Sequence, residues 1–194
     1  MRSNVAIAAF VLIGLAVGCG HDPRPPQPDR APRTGRFTVT IEAVGHESVS
    51  LRLSGAFDDD RQRYAVNADV AGFVPGLDGP VAIVATSDAV YIDCPYLTRL
   101  LETPTRWIKV SGEAASVLRS FLIDQFRSLG RVGGDGLVPQ TTMRFADGQD
   151  EGGALVSLEY FDIGAPVVIE PPPADQVTDE TAAVNRLFGG TTGG

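Results

Sequence analysis

The chain carries few thiols and imidazoles: two cysteines, Cys19 and Cys94, and two histidines, His21 and His46. Cys19 stands where a thiol would be modified. Ahead of it, Val5 to Val17 (VAIAAFVLIGLAV) is uncharged, Arg2 gives a positive start, and the small residues Ala16, Val17 and Gly18 lead up to the cysteine. That is the order of a secretory n-region, h-region and cleavage site. With cysteine as the first residue after the cut, its thiol accepts a diacylglyceryl group and cleavage frees its amine for acylation. Ala16 to Cys19 therefore read as a lipobox, with Leu15 one place ahead of where leucine usually stands. Residues 1–18 are expected to be a lipoprotein signal peptide and Cys19 the lipidated residue. The competing readings are a plain transmembrane anchor, for which the run falls short of the roughly 20 residues that span a bilayer core, and ordinary secretion with Cys19 incidental. Several acyl chains on one terminus hold a bilayer far more firmly than one. The mature chain is expected on the outer face of the cell membrane.

The other candidates lack a framework. With Cys19 acylated, Cys94 has no thiol to pair with, and its place in VYIDCPY suits a small buried apolar role. His21 falls in a proline-rich stretch and His46 in a turn, so neither a histidine triad nor a metal site is expected. Asp58, Asp59 and Asp60 lack the spaced ligands and distal Glu of a calcium loop and read as a solvated hairpin tip. Gly133, Gly134 and Gly136 do not lie between a strand and a helix as a phosphate loop requires. The expectation is a chain without catalytic residues, metal or cofactor. A formal charge of −8, made more negative when Arg2 leaves with the signal, argues against nucleic acid and against anionic lipid headgroups.

The elements that must position any site follow from composition and period. Residues 19–35 are the acylated Cys19 and a tether over 20–35, in which Pro23, Pro25, Pro26, Pro28 and Pro32 are interleaved with charges. Sixteen residues of polyproline-like chain reach roughly 50 Å. From Arg36 the period becomes two: Phe37, Val39, Ile41 and Ala43, then Val49, Leu51 and Leu53, then Tyr64, Val66, Ala68 and Val70 alternate with polar residues. These predict consecutive antiparallel hairpins with one apolar face. VAIVAT, AVYID and RWIKV predict further strands, with a short helix over 96–102 between the last two. The best helix runs from Glu113 to Leu129, capped by Ser111 or Gly112 and stopped by Gly130; Leu118, Phe121, Leu122, Gln125 and Leu129 share one side, with Val117 and Phe126 at its margins. TTMRFA and ALVSLEYFDI predict two more strands, and VVIE a last extended piece. The domain is expected over 36–177 and a flexible tail over 178–194, in which any helix at TAAVNRLF would be marginal and frayed. The fold class is α+β.

The closing stretch YFDIGAPVVIEPPPADQV, the pair AVYID and RWIKV, and the lipobox together resemble actinobacterial LppX/LprAFG-type envelope lipoproteins, over Phe37 to about Val177. The chain is shortened relative to that family: no helix lies between tether and Phe37, and residues 130–153 are few where further strands are usual. The resemblance implies a LolA-like fold, a curved antiparallel half-barrel with helices packed on its concave face and an apolar cavity between. It also implies binding or carriage of an envelope lipid or lipoglycan. No family motif defines a lipid contact, so the cavity lining is expected simply from the apolar faces: Phe37, Val39, Ile41, Leu51, Leu53, Val66, Val117, Phe121 and Leu122. The alternative is a tethered, non-enzymatic interaction or structural domain of the envelope with a filled core. The membrane, through the acyl chains, is the one partner either reading requires.

Overall fold

Alternation of period two becomes strand after strand in one sheet. The structure, a computed structural model, describes residues 34–44, 50–70, 79–130, 140–146 and 153–188. Cys19, His21, the tether up to residue 33, His46 with its turn, and Gly133, Gly134 and Gly136 lie outside the described residues. The strands are β1 (Thr34–Val44), β2 (Ser50–Asp58), β3 (Arg63–Asp69), β4 (Pro80–Ala85), β5 (Ala89–Asp93), β6 (Trp107–Ser111), β7 (Gln140–Ala146), β8 (Gly153–Phe161) and β9 (Val177–Asp179). The helices are α1 (Pro95–Leu100), α2 (Gly112–Gly130) and α3 (Thr181–Phe188). The chain is α+β, with an open nine-stranded sheet in the order β7-β8-β1-β2-β3-β4-β5-β6-β9. Every pairing is antiparallel except β6 with β9.

The register puts apolar residues in transverse rows on one face. Tyr160, Phe37, Gly55, Val66, Ile83, Ile92 and Ile108 stand opposite one another from β8 across to β6. A neighbouring row holds Gly35, Phe57, Tyr64, Ala85, Val90 and Val110, and another holds Leu158, Val39, Leu53, Ala68 and Val81. The reverse face carries Ser54, Asn67, Ala82, Asp93 and Trp107 in line. Phe37 and Phe57 each lie against a glycine on the facing strand, Gly55 and Gly35. An aromatic ring over a glycine fills the space of the missing side chain and lets the two strands bend together.

The helices cover one end of the apolar face. The first half of α2 packs on β5 and β6, with Ala115 buried and Ala114 and Leu118 against the core; α3 packs on β6 and α2 through buried Val184. Arg119 donates from Nη1 to the carbonyls of Thr86 (3.1 Å) and Ser87, fastening the helix to the β4–β5 turn.

Two boundaries and one turn differ from the sequence reading. First, β1 begins at Thr34, inside the expected tether. Second, the tail expected to be flexible from 178 onward supplies most of β9 and all of α3. Both are held by β6: the Ser111 N–H donates to Thr181 Oγ1 (2.9 Å), and Thr181 Oγ1 donates to Asp179 Oδ1 (2.7 Å). Third, the aspartates at the β2–β3 turn are not all solvated. Asp58 is 4% exposed and accepts the Arg61 N–H at 3.0 Å, while Asp59 accepts the Tyr64 hydroxyl at 2.6 Å.

VVIE, expected as a last extended piece, joins no strand. It belongs to a strap, residues 162–170, that passes the ends of β1 to β3. The Gly164 N–H donates to the Thr34 carbonyl (2.8 Å), Thr34 Oγ1 donates to the Ala165 carbonyl (2.8 Å), and Arg63 Nη1 donates to the Ile169 carbonyl (3.0 Å). Val167 and Ile169 turn inward and are buried, while Val168 between them is 84% exposed.

Candidate functional site

Burial divides the apolar face into two regions. Towards the strap, rings fill the space: Tyr160 meets Phe57 edge-on at 5.9 Å and Phe37 at 6.4 Å, with Tyr64, Val66, Ala85, Val90 and Val110 buried alongside. Crossing the face obliquely is a band of half-buried aliphatic side chains, from Ile41 and Leu53 through Val81 to Ile83 and Ile92, the last two in the row of Phe37 and Tyr160, joined by Leu97 and Leu101 near α1 and Leu118 on α2. They touch the core on one side and keep free surface on the other.

The expected lining residues separate on this division. Phe37 and Val39 keep 2% of their surface, Leu51 1% and Val66 5%. A side chain facing open space would keep far more, so these four are packed core and not lining. Ile41, Leu53 and Leu122 are half-buried, as a lining requires. Val117 is 64% exposed; it lies about 200° around the helix from buried Ala115, on the solvent side. The side chain of Phe121 lies outside the described residues. Val81, Ile83 and Ile92, missing from the expected set, lie in VAIVAT and AVYID, where apolar residues fall on both faces and no polar alternation singles them out.

The polar groups are tied to one another. On the reverse face Arg52, Ser54, Asn67, Asp69, Asp93 and Arg106 border a shallow open groove of about 360 Å³. Arg106 Nε and Nη2 both lie 2.7 Å from Asp93 Oδ2. Cys94, at the start of α1, is 3% exposed and free, as its surroundings predicted. Among the described residues no group of acidic, histidine or cysteine side chains is placed to hold a metal ion.

Burial, with the charge of Asp59 nearby, pushes the Tyr160 phenol from 10.0 up to about 12. The folded protein then keeps a proton that the unfolded chain releases, so this contribution is complete below the ordinary tyrosine value and is lost as pH climbs through the raised one. Alkaline titration followed by phenolate absorbance should show one tyrosine ionising last, together with unfolding. Tyr160→Phe should remove that last step and flatten the loss of stability over the same window.

No family pattern, curated protein sequence or solved structure matches the chain.

Proposed function

We propose that the chain is an envelope lipoprotein, anchored through Cys19, that shelters an apolar lipid or lipoglycan chain between its sheet and α2. In this reading the sheet is a curved half-barrel and the helices pack on its concave face. The observation that carries it is the half-buried band of Ile41, Leu53, Val81, Ile83 and Ile92, with Leu118 of α2 packed on the same core. Aliphatic side chains in one contiguous strip, already shielded on one side, gain most from a guest that covers the other; apolar area taken from water contributes about 25 cal/mol per Å². The likeness of the closing stretch to LppX/LprAFG-type lipoproteins supports the same reading.

The test is lipid analysis of the chain from Thr34 onward, purified without detergent, beside Leu53→Arg. The wild type is expected to carry an acyl lipid and to take up a fluorescent one. Leu53→Arg should reduce uptake roughly tenfold or more, because an apolar guest cannot compensate a guanidinium drawn out of water. A second reading, a tethered interaction or structural domain with a filled core, is favoured by the packing of Phe37, Val39, Leu51 and Val66. It predicts no bound lipid in the wild type and a loss of stability, without loss of any uptake, in Leu53→Arg.

A further inference from the structure

Large apolar side chains are exposed at few described positions, and three of them, Phe161 (40%), Ile163 (50%) and Val168 (84%), fall within eight residues of the strap region. Their backbone is held. The strap is hydrogen-bonded to Thr34 and Arg63 at three points of 2.8–3.0 Å, and Ile163 lies close over Gly35, within 3.0 Å of where a Cβ would stand. Val167 and Ile169 use their side chains inward, and Val168 between them stands outward. These residues sit at the root of the tether: Thr34 opens β1, and Cys19 precedes it by only fifteen residues of sequence.

We propose that the strap and the adjoining end of β8, through Phe161, Ile163 and Val168, form a second membrane contact that rests these apolar side chains in the bilayer to which Cys19 is anchored. The proposal rests on the reading of Cys19 as acylated. Acylation at Cys19 keeps a bilayer within tether length of Thr34, so the apolar residues nearest that root meet lipid at high effective concentration. Opposite charges accompany the tip, Arg36 pairing with Asp162 at 3.4 Å, and the chain as a whole is acidic. The contact is therefore apolar insertion at the headgroup boundary, and it does not depend on anionic lipid or on salt. It also sets an orientation. Ile41 lies seven residues along β1 from Thr34, about 23 Å at strand rise, so the Ile41 end of the half-buried band lies farthest from the membrane that holds the protein.

The test uses the full acylated chain in phosphatidylcholine vesicles, with Trp107, the sole native tryptophan, changed to Phe. Val168→Trp then places the only indole on the strap, and Val117→Trp, on the solvent side of α2, is the control. Brominated acyl chains should quench the Val168→Trp emission and shift it to the blue, equally at low and high salt, and leave Val117→Trp unchanged. Incorporation of a fatty-acid label into the wild type and not into Cys19→Ala checks the anchor separately. Label with no quenching at Val168→Trp overturns the strap contact and leaves the anchor standing; concentration-dependent self-association in place of quenching also overturns it, in favour of a second copy. Equal label in wild type and Cys19→Ala removes both.

Discussion

Gly55→Ala should lower stability by about 3 kcal/mol, at the upper end of what overpacking costs, although it adds one methyl group. A Cβ at Gly55 would stand 2.2 Å from the Ala65 carbonyl oxygen and 2.4 Å from Cζ of Phe37. The first of these atoms belongs to the main chain of β3, so relief requires the β2–β3 pair to move apart. Denaturant unfolding measures the loss. Gly35→Ala is the matched comparison, because its nearest neighbours, Phe57 Cζ at 2.9 Å and Ile163 Cδ1 at 3.0 Å, are side-chain ends. It should cost about 1 kcal/mol. Trimming Phe37 to Leu in the Gly55→Ala background should not restore stability, since the carbonyl remains. A full rescue would mean that the ring, and not the strand pairing, sets the requirement for glycine.

Ile108→Ala should cost about 2–5 kcal/mol, the range for emptying a tight aliphatic site. Ile108 has no exposed surface and lies between Ile92 of β5 and Thr178 of β9. Both neighbouring strands hold the cavity open. Ile83→Ala, in the half-buried band, should cost about 1–2 kcal/mol, because its side chain is only partly withdrawn from water to begin with. Equal losses in the two variants would place Ile83 in the packed core and take away the band on which lipid carriage is proposed.

Most strands could be read directly because they span whole alternations with one face against the core. Phe37, Val39, Leu51, Val66, Val156, Leu158 and Tyr160 lie on the buried side as the period required. The C-terminal pieces could not be read that way. β9 has three residues and α3 eight, too few for a periodic signal, and a helix of that length depends on its tertiary partners. Val184 finds its place only because β6 and α2 are already there. The candidate site was legible as a face and not as a space. Alternation assigns Phe37 and Leu53 to the same side, but whether each is packed or half-open depends on which strands and rings stand beside it. Tyr160 comes to Phe37 from a strand more than a hundred residues later in sequence, and no local pattern announces that neighbour. Val117 shows the converse: at the margin of a helical stripe, a small rotation of the helix decides between core and solvent.

The position of β1 inside the sheet also bears on how the chain folds. The strands from β1 to β6 form a continuous meander, each pairing with the next. As a nascent chain lengthens from its N-terminus, this meander can assemble early from contacts near in sequence, which favours rapid folding. It would then have two unpaired margins, the outer side of β1 and the outer side of β6, each a template for aberrant strand addition. Both are sealed late and separately, the first by the β7–β8 hairpin and the second by β9. Chains stopped before Gly153 would leave both margins bare, and chains stopped just after Phe161 would leave only that of β6. Premature termination should therefore produce two kinetically distinct, aggregation-prone species, the shorter being the worse.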